Sequence, residues 1–202
     1  MSGQQALWIL GLLAGAILRV QGSGDGQVGG TPATSVAVRV VDLEGRDVDP
    51  LDQPNSRAMV FIFTRTDCPV ANRYAPAIQR LRDEFTRQRV TFRLVYVDPA
   101  EPPEEVRSHL RHYRYDIVAL RDPRHALVAL SGARATPEAA VFTGDRRLVY
   151  RGRIDNRYVD LNQVRAAPTR HDLREVLTSL AAGRPVEPRT TDAIGCFIAD
   201  LR

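Results

Sequence analysis

Two runs constrain this 202-residue chain more than anything else in it: RAMVFIFT at residues 57–64 and TFRLVYV at residues 91–97. Both have strand length, and both are rich in β-branched and aromatic side chains with little polar alternation. Such a run is buried on both faces, so something apolar must cover the sheet above and below. Between the runs, residues 72–88 carry Ile78, Leu81 and Phe85 at helical spacing among arginines. A strand, a helix and a second buried strand in succession predict parallel pairing, with the helix crossing over one face.

The remaining elements follow from periodicity and turn chemistry. Val36, Val38 and Val40 alternate with smaller or charged residues ahead of the turn Asp42-Leu43-Glu44-Gly45-Arg46, which predicts an opening hairpin. Residues 104–113 read as a helix opened by Pro102-Pro103, with acids in the first turn where the helix dipole favours them. Residues 117–120 read as a short strand or extended connector, and 124–130 as a short helix ended by Ser131-Gly132. Gly144-Asp145-Arg146 between residues 139–143 and 147–153 is the strongest hairpin signal in the chain. A polar, irregular stretch over 155–168 has no assigned role. Residues 170–182 then form a final amphipathic helix with Gly183 as its C-cap. The expected fold class is therefore α/β: a mixed central sheet flanked by helices, with an N-terminal β-hairpin and a C-terminal tail.

The ends of the chain read differently. The apolar run from Ala6 to Leu18 has the length of a signal-peptide core and falls short of the roughly 20 apolar residues of a membrane span. Residues 1–22 are accordingly read as a signal peptide or N-terminal anchor, 23–34 as a Gly/Ser/Thr-rich linker, 35–184 as the folded domain and 185–202 as a tail carrying Cys196. The expected location is exported, periplasmic or extracellular, where disulfides persist, with membrane attachment only through an uncleaved N-terminal segment. Although the net charge is +4, all 28 basic residues are arginine and they scatter through every segment, so no nucleic-acid partner is expected.

Three features point the same way. Cys68 lies directly after the first buried strand and ahead of a helix, in TRTDCPVANRYAP; Pro76 follows inside that helix; and Ala135-Thr136-Pro137 precedes the strand at 139–143. Together with the opening hairpin VAVRVVDLEGRDVD, they make the chain resemble the thioredoxin-like superfamily, in its redoxin or alkyl hydroperoxide reductase type. The resemblance implies a thioredoxin-like fold and an oxidoreductase whose chemistry is carried by sulfur, with no organic cofactor and no metal. It also implies a cis bond at Thr136-Pro137 and a Thr136 backbone free beside the active sulfur to pair with an extended substrate.

Cys68 is the candidate attacking thiolate, because unpaired backbone N–H groups at a helix N-terminus favour an anion. Arg65 and Arg73 are placed to add positive potential, Asp67 to oppose them, and Thr66 to donate a hydroxyl hydrogen bond to the sulfur. The motif departs from the family in two ways. A thioredoxin-type dithiol is CxxC, whereas Ala71 stands at the fourth position here. The hydroxyl that helps hold a peroxide in peroxiredoxins has no counterpart, since the equivalent places are Phe61 and Arg65. A copper-chaperone relative would carry a second cysteine where Asn72 stands. His109 and His112, at i and i+3 on the predicted helix, lack partner ligands and are read as solvated surface residues.

Cys196 sits in AIGCFI, an apolar patch whose composition predicts docking against the domain. Three roles stay open for it: a resolving cysteine for Cys68, a static structural disulfide, or an unpaired thiol. The leading expectation is a thiol-disulfide oxidoreductase acting on protein or small-molecule thiols and disulfides, with Cys68, Thr66, Thr136, Pro137 and candidate resolving Cys196 as its site. The alternatives are an antioxidant thiol peroxidase acting on peroxides, in which Cys68 passes through sulfenic acid, and a non-catalytic binding module of the same fold.

Overall fold

The computed structural model describes residues 37–198. The expected leader, anchor and linker, together with Val36, lie outside the described residues. A central eight-stranded sheet is built from β1 (Val40–Val41), β2 (Asp47–Val48), β3 (Ala58–Thr64), β4 (Val90–Tyr96), β5 (Val118–Arg121), β7 (Glu138–Thr143), β8 (Leu148–Gly152) and β9 (Arg189–Thr190). Its strand order is β2-β1-β5-β4-β3-β7-β8-β9. Two further strands, β6 (Ala135–Thr136) and β10 (Cys196–Phe197), pair with each other in a separate two-stranded sheet.

The two apolar runs pair in parallel from Ala58 opposite Val90 to Thr64 opposite Tyr96, and every residue of β3 is buried. β5 continues the parallel set beside β4. β7 joins the other edge of β3 antiparallel and folds back into β8. The expected mixed sheet is thus observed: besides the hairpin whose turn is Gly144-Asp145-Arg146, β1 pairs antiparallel with β2, as the opening hairpin, and with β5.

Alternation along β3 sends successive side chains into different layers. Ala58, Val60 and Ile62 face a cluster filled by α1 (Pro69–Phe85), α2 (Pro103–His112) and α4 (Asp172–Ala181), through Tyr74, Ile78 and Leu81, then Val106, then Leu173, Val176 and Leu177. Met59, Phe61 and Phe63 face the opposite layer, where α3 (Ala126–Ser131) supplies Leu127 and Val128. Ile198, near the C-terminus, is buried in that second layer, so the tail is fastened to the domain as its apolar patch predicts.

α1 starts three residues earlier than periodicity suggested, because Pro69 occupies its first turn, where a missing N–H costs nothing. Cys68 thereby becomes the N-cap of a 17-residue helix. Strands β6, β9 and β10, each two residues long, were not expected from the sequence. Within the stretch expected to be irregular, Tyr158 and Val164 form an isolated antiparallel bridge. Among the described residues no helix is long and apolar enough to cross a membrane.

Candidate functional site

The cysteine loop leaves β3 at Thr64 and enters α1 at Pro69, so it lies at the carboxyl end of parallel strands, where α/β sheets bind ligands. Cys68 is fully buried. Its extended backbone (φ −83°, ψ 107°) sets the sulfur over the first turn, where it accepts a hydrogen bond from the Ala71 N–H at 3.5 Å. The helix caps itself with a sulfur in place of the usual oxygen, an arrangement that favours negative charge there.

The second wall is β6. Thr136-Pro137 is a cis peptide, and Thr136 O lies 3.0 Å from Cys68 Sγ. Glu138, buried to 2% exposure, shapes this turn: Oε2 accepts the N–H groups of Arg134 (2.6 Å) and Ala135 (3.1 Å), while Oε1 accepts Arg151 Nη1 at 3.0 Å. Sequence reasoning began the strand at Ala139 and passed over this glutamate. A carboxylate at the head of an apolar run was the signal, since a buried charge demands partners.

The third wall is the tail. β10 pairs antiparallel with β6, Cys196 opposite Thr136 and Phe197 opposite Ala135, and Ile198 N donates to Arg134 O at 2.9 Å. Gly195 passes so close to the Thr136 carbonyl that a Cβ at that position would collide with it. The Thr136 backbone is therefore not free for a substrate, contrary to expectation; the chain's own tail occupies that edge. Cys196 Sγ is brought within 2.7 Å of Cys68 Sγ, not far beyond the roughly 2.0 Å of a covalent S–S bond, and both are free cysteines here. Burial, followed by contact with the Cys68 sulfur and by the Asp67 carboxylate, pushes the Cys196 thiol up to about 12.

The flanking residues serve differently from expectation. Thr66 does not reach the sulfur: its hydroxyl donates to Glu101 Oε1 (2.8 Å) and Glu105 Oε1 (3.0 Å), and its N–H also donates to Glu101 (2.6 Å). Burial raises the pKa of Glu101, against the two hydrogen bonds from Thr66. Arg65 is engaged by Asp67 at 3.0 Å and Asp98 at 3.1 Å. Arg73 turns to the Tyr158 hydroxyl at 3.4 Å. Neither cation is bound to a sulfur in these contacts, but the charge of Arg65 still opposes the rise at Cys196.

His109 is a correction as well. It is 7% exposed, whereas His112 is exposed as expected. Nε2 lies 2.7 Å from Asn72 Oδ1 and Nδ1 lies 2.8 Å from Tyr96 Oη, so the partners assign a neutral ring with its proton on Nε2. Asn72 Nδ2 in turn donates to Thr66 O at 2.9 Å. The residue standing where a second loop cysteine could have been is therefore a brace, tying the cysteine loop through His109 to β4. Among the described residues, no group of three or more His, Cys, Asp or Glu side chains is placed to hold a metal.

Comparison with known proteins bears on the fold and the family. The chain is similar in structure to a hypothetical protein from Sinorhizobium meliloti (23% identity, TM-score 0.67, covering 79% of this chain and 88% of that one). It is likewise similar to an uncharacterized conserved protein from Geobacillus kaustophilus (24%, 0.68, 79% and 86%). The thioredoxin domain of a thiol-disulfide oxidoreductase from Bacteroides vulgatus matches at 12% identity, TM-score 0.53, over 71% of this chain and 92% of that one. At these identities the likeness establishes the thioredoxin-like fold. No curated protein sequence matches the chain. The model of the Redoxin family matches residues 29–167, from ahead of β1 through the cysteine loop and the cis-proline turn. The chain belongs to the Redoxin family, with a thioredoxin-like fold and the redox function of an oxidoreductase.

Proposed function

We propose that this protein is a thiol-disulfide oxidoreductase whose redox couple is the Cys68–Cys196 pair. The single observation that carries the reading is the meeting of the two sulfurs at 2.7 Å, one on a helix N-terminus and the other on a strand docked beside the cis-proline. Ala71 removes the local second thiol of a CxxC motif, and the tail supplies one from the far end of the domain. Oxidation of the pair releases two electrons and two protons and forms one S–S bond; reduction reverses it. A partner dithiol or disulfide supplies or takes the electrons through a mixed disulfide.

Partners of this class are protein or small-molecule thiols and disulfides. The peroxidase alternative has less support, because Phe61 is buried in β3 and Arg65 is held by two carboxylates, leaving no hydroxyl where one would steady a peroxide. An exported, periplasmic or extracellular location belongs to the same proposal, on the strength of the apolar run 6–18.

The test measures turnover of a disulfide-bonded peptide with a dithiol donor, beside peroxide consumption, for wild type, Cys68→Ser and Cys196→Ser. The expected result is exchange activity in the wild type that is lost in both variants. Unchanged exchange in Cys68→Ser, or none in the wild type, would overturn the proposal and leave the fold as a binding module.

A further inference from the structure

Which sulfur of the pair meets the partner is a separate matter, and here access and the leaving group point the same way. Cys68 is wholly buried; Cys196 is partly exposed. The docked tail lies directly against Cys68, with Cys196 Sγ 2.7 Å from Cys68 Sγ. Lifting the tail away means breaking the β6–β10 pairing, the Ile198 to Arg134 hydrogen bond at 2.9 Å and the burial of Ile198 in the second core layer. Reaching Cys196 breaks none of these. In exchange chemistry, an attacking thiolate is governed by access to the sulfur and by the quality of the thiolate it expels.

Resting on the reading above, we infer that Cys196, not Cys68, is the sulfur that forms the mixed disulfide with the partner, and that Cys68 is the internal, resolving cysteine. In the oxidised protein an outside thiolate attacks Cys196 Sγ. The Cys68–Cys196 bond breaks, and its electron pair leaves on Cys68 Sγ, where the Ala71 N–H and the helix terminus receive the charge. The partner's second thiolate then attacks its own sulfur in the mixed disulfide, forming the partner disulfide and expelling Cys196, which takes up a proton. The partner dithiol has lost two electrons and two protons; the protein disulfide has gained the two electrons and, on Cys196, one proton, and the other proton goes to solvent while Cys68 remains a thiolate or to Cys68 when it is protonated. Run backward, Cys196 loses its proton and attacks a partner disulfide, and Cys68 resolves the adduct.

Cys68, once expelled, stays at the helix N-cap 3.5 Å from the Ala71 nitrogen, placed to re-form the bond in the reverse direction. This order inverts the sequence-based expectation, in which the loop cysteine attacks and the tail cysteine resolves.

The experiment uses the full chain oxidised to the Cys68–Cys196 disulfide. It is mixed briefly with reduced glutathione, quenched with acid, alkylated and mapped by peptide mass spectrometry. The expected result is glutathione on the Cys196 peptide and the alkyl group on Cys68, in about tenfold or greater excess over the opposite pattern. Glutathione on Cys68 with Cys196 alkylated overturns the inference while leaving the redox pair standing. If oxidation yields no Cys68–Cys196 disulfide at all, the proposed function and the inference fall together. As a second measurement, oxidised glutathione should modify the lone Cys196 of Cys68→Ser in the folded state. The lone Cys68 of Cys196→Ser should react only after unfolding; equal reactivity in the folded state would also overturn the inference.

Discussion

At the scale of single residues, the thiol pair depends on side chains that never touch sulfur. Tyr96, His109 and Asn72 form a buried chain of hydrogen bonds ending on the Thr66 carbonyl, two residues from Cys68. Burial pushes His109 down to about 4 from an ordinary value of 6.5, His112 adds to the shift, and Glu105 opposes it. The aromatic rings packed around it are Tyr96, Tyr113 and Tyr115. Between these two values the unfolded chain binds a proton that the native ring refuses, so stability is lost as pH falls from about 6.5 toward 4. The expected loss from this group is about 1–3 kcal/mol. Urea unfolding of wild type and His109→Gln across that range checks it: the variant should be the less stable at neutral pH, and the difference should shrink as the solution is acidified. A difference constant with pH would mean that folding does not shift the titration of His109.

At the scale of elements, the smallest strands decide the site. β6 and β10 have two residues each, too short to carry a periodicity, and they exist only because each supplies the other's hydrogen bonds. Gly195 permits the approach, since any Cβ would strike the Thr136 carbonyl. Gly195→Ala is therefore expected to undock β10 and leave the core intact. Folded Cys68 should then alkylate at least about tenfold faster than in the wild type, because access controls thiol reactivity. Rates of iodoacetamide labelling at Cys68 followed by mass spectrometry, with far-ultraviolet circular dichroism as the control for folding, would check this. An unchanged rate would show that β10 is not what covers the thiol. This dependence also explains why the sequence disclosed Cys68, Thr136 and Pro137 but not how they are arranged. Cys68 and the cis-proline are placed by local order, strand then helix and turn then strand. The Cys196 register, Glu138 beneath the turn and the inward rotation of His109 arise from pairings between distant segments. Helical spacing puts His109 and His112 near one another, but only the position of α2 against β4 decides which of them is buried.

At the scale of the whole molecule, the central architecture was legible because β3 and β4 are buried on both faces and leave no alternative to a covered parallel pair. The same burial hid β9, whose exposed Arg189 and Thr190 carry no apolar signal and pair with β8 only once the chain has turned back from α4. The redox pair spans nearly the full described domain, with 128 positions separating its two cysteines in sequence. Closing so long a loop removes entropy from the unfolded chain, and the chain-entropy model gives roughly 5 kcal/mol as the resulting gain in stability. The bond would also fix β10 to β6 and hold Ile198 in its core layer, so the tail's docking and the redox state become one equilibrium. Oxidised wild type should therefore unfold at a distinctly higher urea concentration than Cys196→Ser, and reduction with dithiothreitol should bring the wild type down to the variant. A reduced protein as stable as the oxidised one would mean that the cross-link constrains nothing that the docked tail does not already hold.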